Sequence, residues 1–567
     1  MLHRTLVPFA LLLTAGCATL PPSSPPALLP ERGVVSAADP RAAEAGAEML
    51  RRGGSATDAA IATMLTLNVV EPQSSGIGGG GFYVRSDASG AVDTLDGRET
   101  APAAATPARF LDADSKPMPF QDAVIGGLSV GVPGNLRLAA EAHARHGKLP
   151  WAVLFEPAVK LARDGFAVTP RLHSALASAS NRAAHDAEGR ALYYDASGAP
   201  LPIGTVIRNA ELAVTLARIA AEGADAFYTG AAAADLASEV AGATRQDGRM
   251  TGADLAAYRA VERPPVCGEY RHYRICGMGP PSSGATTVFA ILKQLERYDL
   301  TALGPQSPQA WHLFAESQRV AYADRERYLA DSDFITVPVA GLTDPDYLAA
   351  RGSLISRDAR LPVAEPGTPP GAAAIPPDGA EPAENGTSHF AVIDRAGNAV
   401  SYTSTVEGPF GSGLMYGGFF LNNELTDFSF VPAVEGRAVV NRVEGGKRPR
   451  SSMAPTIVFD AEGHVVLSIG AAGGATIPVQ VAKALIGVLD WGLSAQDAIA
   501  LPGLFSPGDT IFIEPGSPLL AMKASLEALG HTVREQTMPF KANAVQRTAA
   551  GWVGAADPRS EGAAVAE

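Results

Sequence analysis

The chain has 567 residues, 46% of them hydrophobic, enough for a sizeable core in three or four domains or one large intertwined one. With 45 Lys and Arg against 59 Asp and Glu, the charge of −14 excludes generic nucleic-acid binding, because phosphate neutralisation needs a basic footprint. Three cysteines exclude a disulfide-dense scaffold and a Cys-rich zinc module.

Residues 1–16 read as an export signal. Arg4 precedes the apolar run Leu6–Leu13, too short to span the ~30 Å of a bilayer. Thr14-Ala15-Gly16-Cys17 has the form of a bacterial lipobox, with Cys17 the lipidated residue; the alternative is ordinary cleavage nearby and a free thiol. Residues 17–33 then form a Pro-rich tether. This predicts a protein on the periplasmic side of a bacterial envelope that meets a membrane only through its lipid anchor.

Helical spacing predicts a helix over Ala42–Leu67, broken at Gly53-Gly54 and restarted by a cap at Ser55–Asp58. Phe82–Arg85 and Ala91–Leu95 read as strands, and 135–165, 210–260, 285–298 and 307–329 as mainly helical. Val266–Cys276 reads as two strands around a turn at Arg271-His272, which sets Cys267 opposite Cys276. A disulfide and two reduced thiols are both open readings there. Leu361–Gly386 is irregular and rich in Pro, Gly and Ala. After it come two hairpins, Ser388–Thr405 and Thr456–Ile469, then a Gly-rich turn at Gly470–Gly474 and a helix from about Pro478.

Several motif strings carry no chemistry. Gly76–Gly81 satisfies G-x-G-x-x-G but is followed by a strand rather than a helix, so close backbone packing beside a site is the better reading. Gly127–Gly131 satisfies G-x-S-x-G, but Pro133-Gly134 follows at once and no strand precedes it, so a loop fits better than a nucleophile elbow. The histidines show no metal-ligand spacing; His143 and His146 read as a solvated helix end.

Asn385-Gly386-Thr387-Ser388 places a hydroxyl where a loop becomes a strand. If the chain breaks before Thr387, its new α-amine, with a pKa near ~8, becomes a base for its own hydroxyl. Gly386 leaves the attacked carbonyl open, and the Gly473-Gly474 turn offers N–H groups for an oxyanion hole. Glu424, Asp427, Ser451 and Ser452 lie between these segments and are suited to hold a zwitterion.

The segment from Gly386 to Ser452 resembles the small-subunit start of the γ-glutamyltransferases, or glutathione hydrolases. The resemblance is carried by Thr387-Ser-His-Phe390, Phe410–Gly413, Leu421–Phe428, Lys447–Thr456, Ala471–Gly474 and Asp557–Ser560. Earlier in the chain it is carried by Gly76–Gly81, Arg98–Pro102, Pro280–Gly284 and Ala321–Arg325. It implies an α+β N-terminal-nucleophile hydrolase fold, an αββα sandwich of two stacked antiparallel sheets flanked by helices. It also implies self-cleavage between Gly386 and Thr387 into a large subunit (34–386) and a small subunit (387–567), which stay together as a heterodimer. Thr387 would attack the γ-glutamyl amide of glutathione or a related donor, and water or an amino acid would take the acyl group.

By matched position, Thr405 would bond the Thr387 hydroxyl, and Gly473 and Gly474 would hold the oxyanion. Arg98, Ser451 and Ser452 would bind the glutamyl carboxylate, and Glu424 and Asp427 its ammonium, as charge and fork geometry require. No metal or organic cofactor is implied. Glu407 stands where many family members carry Asn, and adds a carboxylate near the ammonium. The stretch from Asp427 to Ser451 is compact, which predicts a reduced lid. The alternatives are a glutaryl- or cephalosporin-type acylase on the same fold and a non-catalytic peptide-binding lipoprotein.

Overall fold

Along Ser388–Ile393 every residue is buried. Phe390 and Val392 enter one core, and Ala391 and Ile393 another. Side chains alternate across a strand, so such a segment needs a packed layer on each face. The computed structural model, which describes residues 32–178, 181–372, 374–377, 379 and 386–567, supplies both layers. The export signal, Cys17 and nearly all of the tether lie outside the described residues.

The strands of the two main sheets are β1 (Val34–Ala37), β2 (Gly80–Ser86), β3 (Val92–Gly97), β4 (Val261–Arg263), β5 (Val266–Tyr270), β6 (Tyr273–Gly277), β7 (Ser388–Ile393), β8 (Ala399–Thr405), β9 (Thr456–Phe459), β10 (Val465–Ala472), β11 (Lys541–Thr548), β12 (Gly551–Ala556) and β13 (Ala563–Ala566). One sheet runs β13-β1-β7-β8-β2-β3-β4, the other β12-β11-β10-β9-β6-β5, and all their pairs are antiparallel. Their inner faces meet through Val84, Ala391, Ile393, Ile457 and Val545, with Ser468 donating across to the Val400 carbonyl at 3.1 Å. Helices α1 (Pro40–Arg51), α2 (Ala56–Val70) and α3 (Asn135–His146) cover the first sheet, while α4 (Gly284–Leu295), α5 (Pro308–Tyr328) and α6 (Ile477–Leu489) cover the second. This is the αββα sandwich that the sequence led us to expect.

Helix α2 is buried on every side, and Ser55 and Asp58 form its capping box as their spacing predicts. Cys267 and Cys276 face each other across the hairpin and are joined in a disulfide. The Gly-rich turn begins later than expected. Gly470–Ala472 continue β10, paired with Lys541–Asn543, and Gly470 lacks a side chain because the His389 ring lies 2.4 Å from where its Cβ would be. His143 and His146 are half-buried rather than solvated, bonding the Leu149 carbonyl and Asp93 respectively, each at 2.8 Å. Between Asp427 and Ser451 the chain makes a short exposed hairpin, Ala433–Val434 with Arg437–Ala438. Among the described residues no helix is long and apolar enough to cross a membrane.

Candidate active site

The site forms where β7 and β8, adjacent in the first sheet, bring Thr387 beside Thr405. The two hydroxyl oxygens are 3.0 Å apart. Thr387 is buried, its N–H donates to the Ser74 carbonyl at 3.0 Å, and its φ is +96°, an outlier for a β-branched residue. Thr405 Oγ1 also accepts the Glu407 N–H at 2.8 Å, which fixes its position beside the Thr387 hydroxyl. A side chain at 386 is impossible, because the Glu407 carbonyl oxygen lies 1.6 Å from a Cβ placed there. The same economy explains the Gly76–Gly81 string: a Cβ on Gly79 would sit 1.9 Å from the Thr405 carbonyl oxygen. The glycines let this loop lie against the end of β8, the close packing expected of them. Ser129 hands its hydroxyl to the Val124 carbonyl at 2.6 Å inside a loop and is no nucleophile elbow.

A second group converges on Arg98, at the end of β3. Asn422 donates to the Gly78 and Gly131 carbonyls at 2.8 and 2.9 Å, and Asn423 accepts the Gly408 N–H at 2.9 Å. These bonds dock the short turn Glu424–Asp427 against Arg98, whose guanidinium pairs with both Glu424 and Asp427. One carboxylate oxygen from each of Glu407, Glu424 and Asp427 falls within 4.8 Å of the others. Arg98 already supplies the cation for two of them, so a metal would have to displace it.

Burial alone would lower the Arg98 guanidinium, but the neighbouring carboxylates, Asp427 foremost, hold it above its ordinary value. Glu99 differs. Burial pushes its carboxyl up to about 8 despite the adjacent Arg98, so it is protonated at neutral pH.

Arg98 also donates to the Arg450 carbonyl at 2.7 Å, which brings Ser451 and Ser452 to the same place. Ser283, from the Pro280–Gly284 motif, donates its N–H and its hydroxyl to the Ser451 carbonyl, both at 2.7 Å. Arg325, from the Ala321–Arg325 motif, donates to Ser452 Oγ at 2.6 Å and to Ser283 Oγ at 2.9 Å. Gly473 and Gly474 follow β10, with φ of +126° and +58°, and their N–H groups have no acceptor among the described residues.

Sequence reasoning missed the floor beneath Thr387. Glu71 at the end of α2 and Lys541 at the start of β11 form a buried ion pair at 3.0 Å. Ser388 donates to Glu71 at 2.6 Å. Burial pulls the Lys541 amine down to about 8, against the upward pull of Glu71. No spacing could reveal partners 470 positions apart. The available hint was a carboxylate closing a helix rich in small and apolar residues.

The family model described as gamma-glutamyltranspeptidase matches residues 42–567. A glutathione hydrolase proenzyme of Bacillus subtilis is 38% identical over 514 residues, covering 88% of this chain and 85% of the relative. An acylase ACY 1 proenzyme of a Pseudomonas species is 36% identical over 544 residues, covering 94% and 93%. In structure, a cephalosporin acylase from Bacillus halodurans superposes with a TM-score of 0.82 at 26% identity, covering 98% of this chain and 99% of that one.

Proposed function

The chain belongs to the γ-glutamyltranspeptidase family of hydrolases and transferases, and from that premise we propose that it is a self-processing γ-glutamyl hydrolase and transferase with Thr387 as nucleophile. The observation that carries this reading is the state of Thr387, buried at φ +96° with its hydroxyl 3.0 Å from Thr405. A strained φ of this kind costs about 1–3 kcal/mol. That torsion ceases to exist once the Gly386–Thr387 bond is cut, so cleavage releases the strain.

In processing, Thr387 Oγ1 bonds the Gly386 carbonyl carbon, the C–N bond breaks, and the nitrogen takes the hydroxyl proton. Water then hydrolyses the ester, leaving a Gly386 carboxylate and a free Thr387. Residues 34–386 and 387–567 become the two subunits. In turnover the α-amine takes the Oγ1 proton as Oγ1 attacks the donor's γ-amide. The N–H groups of Gly473 and Gly474 receive the oxyanion. The departing amine takes the proton, and water or an amino acid resolves the γ-glutamyl ester.

The donor's zwitterion matches the charges present. Its carboxylate takes the Arg98 fork with Ser451 and Ser452, and its ammonium takes Glu407, Glu424 and Asp427. Arg98 is paired with Glu424 and Asp427, so a zwitterion replaces one set of ion pairs with two and buries no unmatched charge. A glutaryl group lacks the ammonium and would add a carboxylate to three already there, which favours the γ-glutamyl reading over the acylase. Glutathione is the donor class. The export signal and Cys17 put the enzyme on the periplasmic side of the envelope, held by lipid.

The test joins intact mass with a γ-glutamyl anilide assay on one sample. Wild type should yield fragments of roughly 38 kDa, the large subunit with its tether (18–386), and 19 kDa (387–567), from 58.4 kDa over 567 residues, plus any lipid, and release the anilide. Thr387→Ala should stay one chain and be inactive. A Thr387→Ala protein that still splits at this bond would sink the assignment.

A further inference from the structure

An open cleft of about 700 Å³ is lined by residues next to Thr387 and by none of Arg98, Glu424 and Asp427. Its wall includes Ser74, whose carbonyl holds the Thr387 N–H, and Pro539, whose carbonyl oxygen is 2.6 Å from the place of a Cβ on Gly473. Ser74 and Pro539 thus stand between the cleft and, respectively, the Thr387 nitrogen and the proposed oxyanion glycines. Arg98, Glu424 and Asp427 do not line it, so the glutamyl group is held elsewhere. What remains for the cleft is the departing amine or the incoming one.

Two arginines line the cleft. Arg559 is committed, to Glu514 at 2.6 Å and Asp557 at 3.0 Å. Arg171 is not. Its Nε lies 3.1 Å from Glu71 Oε1, but Glu71 is already satisfied by Lys541 at 3.0 and 3.2 Å and by Ser388 at 2.6 Å. One carboxylate thus faces two cations. Arg171 is 33% exposed, and its terminal nitrogens have no partner among the described residues. Glu561, also on the wall, accepts the Arg171 backbone N–H at 2.9 Å.

Resting on the γ-glutamyl reading above, we infer that Arg171 is a specificity residue that binds a carboxylate on the departing or accepting amine, such as the C-terminus of a short peptide. The guanidinium offers the planar pair of donors that a carboxylate takes up. Lys541 makes this possible: by neutralising Glu71 from below, it leaves the Arg171 fork for the cleft.

The experiment uses the processed wild-type enzyme and Arg171→Gln and Arg171→Lys. Two donors are compared, γ-glutamyl-4-nitroanilide and γ-glutamyl-3-carboxy-4-nitroanilide, which differ by one carboxylate on the leaving group. The ratio of kcat/KM for the carboxylated over the plain donor should fall about tenfold in Arg171→Gln, mainly through KM, and recover in part in Arg171→Lys. An unchanged ratio overturns the inference, whether both donors hold steady or both decline together as a general structural defect would make them. If wild type turns over neither anilide, the γ-glutamyl reading fails and takes this inference with it.

Discussion

Arg98 is 1% exposed and carries two carboxylates. Arg98→Ala should raise KM for γ-glutamyl donors about ten- to a hundredfold, by loss of a charge-assisted fork, and leave the chain split. It should also lower the melting temperature, because removing one member of a buried ion pair costs about 3–5 kcal/mol. Steady-state kinetics and a thermal melt on one preparation check both, and an unchanged KM removes Arg98 from the substrate site. Glu407 adds a backbone argument to its charge. Its φ is +73°, where Asn is tolerated better than Glu. Glu407→Asn should therefore melt no lower than wild type. Its γ-glutamyl kcat/KM should fall modestly or hold, and stay well above glutaryl turnover. A wild type that prefers glutaryl anilide, with Glu407→Asn improving that activity, reverses the choice in favour of an acylase.

At the scale of elements, β7 links the chemistry to the sandwich. His389, two residues from Thr387, points between the sheets onto Gly470, with Nδ1 2.9 Å from Thr403 Oγ1 and Nε2 without a partner among the described residues. Burial pulls its imidazole down to about 3, so it is neutral when folded and excluded as a titrating base near pH 7. An unfolded His has a pKa of about 6.5. The folded value is depressed, so the stability it contributes is fully present above the unfolded pKa and is lost as pH falls through the window from 6.5 toward 3. At about 1.4 kcal/mol per pH unit, this costs roughly 2 kcal/mol by pH 5. His389→Asn should unfold with a flatter pH dependence than wild type between pH 7 and 5. An equal loss of unfolding free energy from pH 7 to pH 5 in both proteins, read from denaturant titrations at the two pH values, would show that His389 is not the responsible group.

At the scale of the molecule, the proposed cut falls inside a shared sheet. β1, β2, β3 and β4 come from residues before Thr387, whereas β7, β8 and β13 come from after it, and β1 lies between β13 and β7. The second sheet is shared in the same way, with β9 beside β6. Separating the pieces would expose two cores and leave strand edges unpaired, so the processed chains should co-elute in gel filtration and part only in denaturant. Elution of the smaller piece alone under native conditions would contradict this interleaving.

Local patterns were enough for much of this. Alternation set the hairpins around Asp394–Asn398 and Asp460–Gly463, helical spacing with the Ser55 cap set α2, and the Arg271-His272 turn set Cys267 opposite Cys276. Thr387, Glu424, Asp427 and the serine pair were legible as candidates because each stands in a short motif whose residue types suit the chemistry, and Arg98 through its place in a motif that resembles the family. The pairing of Arg98 with the acids, the Glu71–Lys541 floor and the open fork of Arg171 were not legible. These depend on side chains hundreds of residues apart, brought together by the stacking of two sheets, and no local pattern encodes which buried charge will meet which. Sequence by itself determined the local elements, through periodicity and turn chemistry, and through its motifs the family resemblance that implied the fold class and the candidate reacting groups. Only the tertiary structure decided which charges cancel and which remain for a ligand, because that balance is set by burial and distance.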